Sequence, residues 1–249
     1  MIAFQFKNVS KSFQNLSVLK DLSFRIAKGE LSYIIGRSGE GKSVSLRMMV
    51  GLLRPDSGEI LFEGDDFLQF SSKELTKFRK SVGVLFQHSA LFDSLSVFDN
   101  IVFPKKEHSQ RLWKTDARWL RAEAENILEI IGLKGTMDSM PQDLSVGERH
   151  RVALGRALIT KPAILFYDEP TTGLDPIYAK KIDELIIQTK EKDPNLTAVV
   201  VSHDIHAAMR YGDHIIMLKN GSTYFQGAPD EFQNSTDTYI KQFLGGHWF

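Results

Sequence analysis

The stretch Leu31-Ser32-Tyr33-Ile34-Ile35-Gly36-Arg37-Ser38-Gly39-Glu40-Gly41-Lys42-Ser43 decides the fold of this 249-residue chain. Leu31 to Ile35 has the pattern of a short buried strand, and Lys42 to Val50 that of a helix. Between them, Gly36 to Ser43 fits G-x-x-x-x-G-K-[ST]. In such a loop the glycines let backbone amides turn inward around phosphate oxygens, the lysine reaches the β- and γ-phosphates, and the hydroxyl ligates Mg²⁺. An incidental Gly-rich turn could carry the same letters, but the strand before the loop and the helix after it are what the motif requires. Gly36, Ser38, Gly39, Gly41, Lys42 and Ser43 are therefore candidate contacts of a nucleoside triphosphate.

Further along, Ile164-Leu165-Phe166-Tyr167 runs into Asp168-Glu169. A buried strand of a parallel sheet delivers such carboxylates to its C-terminal edge, where ligands bind in open α/β folds. Asp168 is then placed to hold Mg²⁺ and its waters, and Glu169 to take a proton from an attacking water. Alone, an acidic pair after a strand is an ordinary turn; a phosphate loop on a second strand raises the functional reading.

The remaining pattern supplies the frame. Alternation at Ile2, Phe4 and Phe6 and at Leu22, Phe24 and Ile26 predicts half-buried strands, with another at Glu59 to Phe62. Apolar strands follow at Val82 to Phe86, Ala163 to Tyr167, Thr197 to Val201 and His214 to Leu218. Leu120, Ala124, Ile127, Leu128 and Ile131 recur at helical spacing within 115–131, and Ser145 with Glu148 makes a capping box at the head of another helix. Strands alternating with helices predict an α/β fold with a mainly parallel sheet. Residues 1–87 and 161–249 are expected to form the core with an antiparallel N-terminal β lobe, and 88–160 an inserted helical subdomain of the same single domain.

Composition narrows the function. Lysine plus arginine and aspartate plus glutamate each total 31, so the net charge is zero and the footprint of a general nucleic-acid binder is missing. Cysteine is absent, which excludes a disulfide scaffold, a thiolate metal site and a Cys nucleophile. No apolar run approaches the ~18 residues of a membrane helix, and the first residues lack the pattern of a signal peptide. The expectation is a cytoplasmic protein whose membrane role comes through partners.

Together these residues resemble the ATP-binding-cassette ATPases over residues 2 to about 230. Leu144-Ser145-Val146-Gly147-Glu148 stands where that family carries its L-S-G-G-Q signature, Gln87 where it has the Q-loop glutamine, Thr172-Gly173-Leu174-Asp175 where it has the D-loop, and His203 where it has the switch histidine. Phe13 falls where an aromatic residue stacks on adenine. The resemblance implies a P-loop ATPase fold and two copies sandwiching two ATP molecules. Each ATP would be held by the phosphate loop of one copy and by Ser145 and the Gly147 amide of the other. It also implies that His203 contacts the γ-phosphate, that Gln87 completes the Mg²⁺ and water site, and that Asp175 belongs to the nucleotide site. Each has a plainer reading as well: Ser145 as a helix cap, Asp175-Pro176 as a helix start, Phe13 as packing.

Val146 replaces the first signature glycine, and a helix-entry conformation that valine can adopt is expected there. The run Leu85-Phe86-Gln87-His88-Ser89-Ala90-Leu91-Phe92-Asp93-Ser94-Leu95-Ser96-Val97-Phe98-Asp99-Asn100-Ile101, with Phe103-Pro104 and Glu107-His108 after it, is similar to the ATPase subunit of the MCE-associated phospholipid transporters. Met140-Pro141 matches that branch too, whereas Glu148-Arg149-His150-Arg151 departs from its usual Met and Arg-Arg pair. The implied partners are an integral membrane permease on the inner face of the cell membrane and an MCE-domain lipid-binding protein, with no nucleic acid. Three alternatives stand beside this reading: another importer such as one for polar amino acids, a soluble cassette ATPase, and a small-molecule kinase. The aromatic tail Gly245-Gly246-His247-Trp248-Phe249 could dock on a partner, pack or be disordered.

Overall fold

The computed structural model describes residues 1–87, 89–108 and 117–245. His88, the stretch 109–116 and the tail from residue 246 lie outside them, and with them most of the aromatic tail and the first residues of the 115–131 helix expected from the sequence. The chain divides into two compact units, Met1–Ser72 with Pro194–Phe249, and Lys73–Asp193.

The first unit holds two sheets. β1 (Ile2–Phe13) pairs antiparallel with β2 (Leu16–Ala27) and with β4 (Ser57–Phe62), and β4 pairs with the short β5 (Asp65–Asp66), giving the order β2-β1-β4-β5. Phe4, Phe6, Phe24, Ile26 and Ile60 are buried by this lobe, with Phe6 and Phe24 stacked at 4.4 Å between ring centres. Both β1 and β2 are longer than their apolar alternation predicts. They meet in a two-residue turn between Phe13 and Leu16, with Gln14 at φ 52°. That outer half is mostly exposed and polar, so alternation cannot report it.

In the second sheet of this unit, β3 (Leu31–Ile35) lies parallel between β8 (Thr197–Ser202) and β9 (His214–Lys219). β10 (Ser222–Gly227) adds an antiparallel edge. Every residue of β3 and β8 is buried, which explains why both are mostly apolar without alternation, with Ser32, Thr197 and Ser202 the polar exceptions. The edge strand β10 went unanticipated, although Asn220-Gly221, both at positive φ, is a strong two-residue hairpin turn. Helices α1 (Lys42–Met49), α7 (Ile205–Tyr211), α8 (Pro229–Gln233) and α9 (Thr238–Leu244) complete the unit.

The second unit joins a parallel strand pair, β6 (Val82–Leu85) and β7 (Ile164–Asp168), to a helical cluster. Its helices are α2 (Ser72–Lys80), α3 (Val97–His108), α4 (Ala117–Ile130), α5 (Val146–Leu158) and α6 (Pro176–Lys192). Ile101 and Val102 of α3, Leu120, Ala124 and Leu128 of α4, and Val152 of α5 share one core, which Ile131 and Leu144 extend. This unit is wider than the 88–160 stretch read from the sequence, because it takes in β6, β7 and α6 as well. Among the described residues no helix is long and apolar enough to cross a membrane.

Candidate nucleotide site

The loop after β3 is shaped by its glycines. Gly36 has φ 152°, and a Cβ there would stand 2.7 Å from the Leu218 carbonyl oxygen. Gly41, at φ 92°, caps α1 in the left-handed conformation, and a Cβ on it would press on Leu19 at 2.3 Å. No side chain caps α1, so the usual Ser or Asp oxygen does not occupy its first-turn amides. An anion is well suited to that place, drawn by aligned peptide dipoles. Lys42 is only 6% exposed, and its Nζ donates to the carbonyls of Gly36 at 3.0 Å and Arg37 at 3.2 Å. The ammonium is thus held inside the loop, and Ser43 follows it, half-buried, in the first turn.

β3 and β8 are neighbours in register, Ile35 opposite Ser202. Gly36 and His203 therefore leave the sheet at the same C-terminal edge. His203 is exposed, and the residues beside it are pinned: the Asp204 amide donates to Ser202 Oγ at 2.9 Å, and Asp204 caps α7 through the Ala207 amide. Phe13 ends β1, 43% exposed, with Lys11 Nζ 5.6 Å from its ring centre, so it is not a core residue.

The second unit repeats the arrangement. β6 and β7 run parallel with Leu85 opposite Tyr167, so Gln87 and the pair Asp168 and Glu169 emerge at one edge. Asp168 is buried. Glu169 sits at φ 49°, a left-handed conformation uncommon for a residue with a side chain, and Thr172 Oγ1 donates to its carboxylate at 2.9 Å. The sequence places Thr172 in the D-loop match and gives no sign of this bond to Glu169. Asp175 caps α6 through the amides of Ile177 and Tyr178.

Ser145 caps α5 as the capping box predicts. Its Oγ accepts from the Glu148 amide at 3.3 Å, and Glu148 accepts from the Ser145 amide at 2.8 Å and hydroxyl at 2.7 Å. The Ser145 hydroxyl, then its amide, hold the Glu148 carboxyl below the ordinary glutamate range. Val146 is the first residue of α5, outside the positive-φ set and 50% exposed, so valine enters the helix without backbone strain. Gly147 is buried, and a Cβ there would meet the Tyr178 ring at 2.8 Å, which keeps α5 and α6 in close contact. An open cavity of about 580 Å³ borders this region, lined by Gln87, Ser89, Asp93, Arg149, His150 and Thr172 among others.

A phosphate loop on β3 and a carboxylate pair ending β7, in an α/β frame with an antiparallel lobe, define the class of P-loop ATPases. The ABC transporter family model matches residues 19–172. The chain is 36% identical over 240 residues to the intermembrane phospholipid transport system ATP-binding protein MlaF of Haemophilus influenzae, covering 96% of this chain and 89% of that protein. It is also 36% identical over 245 residues to the probable ribonucleotide transport ATP-binding protein mkl of Mycobacterium leprae, covering 98% of this chain and 69% of that one. The dimeric post-hydrolysis structure of the ATP-binding cassette MJ0796 bound to ADP and Pi superposes with TM-score 0.81 at 31% identity, over 91% of this chain and 98% of its own. The chain belongs to the ABC transporter family and is its ATP-hydrolysing cassette.

Proposed function

We propose that this cassette powers phospholipid transport as a homodimer closing on two ATP molecules, docked on a membrane permease with an MCE-domain partner. The observation that carries the ATPase half is Lys42, buried inside a glycine-shaped loop and bonded to that loop's own carbonyls. An incoming polyphosphate is a stronger partner for the ammonium than two neutral carbonyls. Support for the lipid half comes from the near full-length similarity to MlaF and from the 85–108 run.

Gly36, Ser38, Gly39, Gly41 and Lys42 hold the phosphates, and Phe13 stacks on the adenine. The oxygens of Ser43, Gln87 and Asp168 are the hard donors that Mg²⁺ prefers, and the residues present therefore fit it. When bound there, Mg²⁺ would neutralise charge on the phosphate oxygens. Glu169 accepts a proton from the water that attacks the γ-phosphorus, and Thr172 orients that carboxylate. The bond from the γ-phosphorus to the β–γ bridging oxygen breaks, leaving ADP and phosphate. His203 holds the γ-phosphate from its own chain. Ser145 and the Gly147 amide meet it from the opposite copy at the head of α5, with Asp175 beside them. The assembly sits on the cytoplasmic face of the inner membrane through the permease.

A mild-detergent pull-down of the tagged protein from native membranes, with mass spectrometry of bound proteins and lipids, tests this reading. Recovery of a permease and an MCE-domain protein carrying phospholipid is expected. A different permease would leave the ATPase mechanism standing and remove the lipid cargo. The names of the mycobacterial relatives make ribonucleotide transport the reading to set against it.

A further inference from the structure

Among the described residues 89–96 there is no strand or helix before α3 begins, so their backbone groups need other partners. α5 supplies them at one end. His150, on the second turn of that helix and only 4% exposed, places Nε2 3.1 Å from the Gln87 carbonyl and Nδ1 3.1 Å from Ser89 Oγ. Its Nδ1 also lies 3.0 Å from the Val146 carbonyl in the first turn of α5. In the Nε2–H tautomer the ring donates to the Gln87 carbonyl and Nδ1 accepts from the Ser89 hydroxyl, and the Val146 carbonyl then receives no proton from the ring. Two turns on, Arg156 donates to the Ser89 carbonyl at 2.9 Å and to the Ala90 carbonyl at 2.7 Å, with Ala90 at φ 46°. The other end of the segment is gripped by the buried Asn100, whose amide donates to the carbonyls of Phe92, Leu95 and Ser96.

We infer that His150 is a positioning residue for ATP hydrolysis, pinning the Gln87 backbone to the signature helix so that Gln87 and Ser145 move as one body. This rests on the proposed roles of Gln87 and Ser145. A buried imidazole bonded both to the Gln87 backbone and to the Ser89 side chain holds those two residues against α5 at two points. Displacement of Gln87 on binding nucleotide is then carried to the head of α5 rather than absorbed in the loop. Arg156 secures Ser89 and Ala90 through their carbonyls, and burial lowers its pKa from the ordinary arginine value.

The test compares His150→Phe, which fills the space but removes both polar contacts, with His150→Gln, which keeps an amide donor and acceptor. Steady-state ATPase kinetics are measured beside hydrogen exchange of the amides at 89–93 and in α1. His150→Phe is expected to lower kcat on the order of ten- to a hundredfold, the scale of a displaced catalytic element, with KM little changed. Exchange should quicken at 89–93 and not in α1, and His150→Gln should recover most of kcat. Wild-type exchange at 89–93 together with wild-type kcat in His150→Phe would overturn the inference. So would loss of protection throughout the unit in both variants, which marks a packing residue. Exchange needs no turnover, so a wild-type protein that failed to hydrolyse ATP would count against the proposed function while the exchange result still judged His150.

Discussion

At the scale of single residues, the site depends on a few atoms whose replacement has separable effects. Glu169→Gln removes the proton acceptor but keeps the shape and the Thr172 contact, so it should bind ATP normally and lose at least ~10²-fold in turnover. Single-turnover kinetics beside a nucleotide-binding titration check this, and multiple turnovers at the wild-type rate would remove Glu169 from its role. Lys42→Ala should instead abolish nucleotide binding, because the buried ammonium within the loop is lost. At this scale the sequence nominates Lys42, Asp168 and Glu169 because they belong to contiguous motifs tied to particular strand ends. His150, Arg156 and Asn100 were not legible as site residues, since their partners are backbone carbonyls far along the chain or in an irregular loop.

Elements set the next level. Ser145→Ala should cost about 1 kcal/mol by removing the cap of α5, read as a lowered Tm. The Glu148 half of the box has a pH signature. Its folded-state carboxyl lies below the ordinary glutamate value, so its contribution is complete above that value and disappears as pH falls through the lowered one. Melting curves of wild type and Glu148→Gln should accordingly differ at neutral pH and converge in acid; parallel curves at every pH would contradict the box. Gly147→Ala should destabilise by ~1–3 kcal/mol, because its Cβ meets the Tyr178 ring where α5 packs on α6. Buried strands were the easiest elements to read, since β3, β7 and β8 are predominantly apolar along their length. The outer half of the β1–β2 hairpin and the edge strand β10 are largely exposed and carry little apolar signal; only the Asn220-Gly221 turn announced the latter.

On the scale of the whole molecule, the proposal makes Ser145 act on the ATP of the opposite copy. With ATP present, Glu169→Gln should elute from a sizing column as a dimer and the wild type as a mixture shifted toward monomer. Adding Ser145→Arg to Glu169→Gln should return it to monomer, while ATP binding by the phosphate loop persists. A double variant that still dimerises would mean that the head of α5 does not face the partner's nucleotide.

The sequence alone determined that a phosphate loop and an acidic strand end sit in an alternating α/β frame, because those signals are local: one loop, one strand end, one capping box. Tertiary structure decided what lies between the motifs. It brought Gly36 and His203 to one sheet edge, and Gln87 and Asp168 to one strand edge, through the register of neighbouring parallel strands. It grouped Met1–Ser72 with Pro194–Phe249 and set Lys73–Asp193 apart as a second compact unit. It also hung the Gln87 segment on α5 through His150 and Arg156. Strand register and side-chain bonds to distant carbonyls join residues tens of positions apart, and no local periodicity records such a pairing.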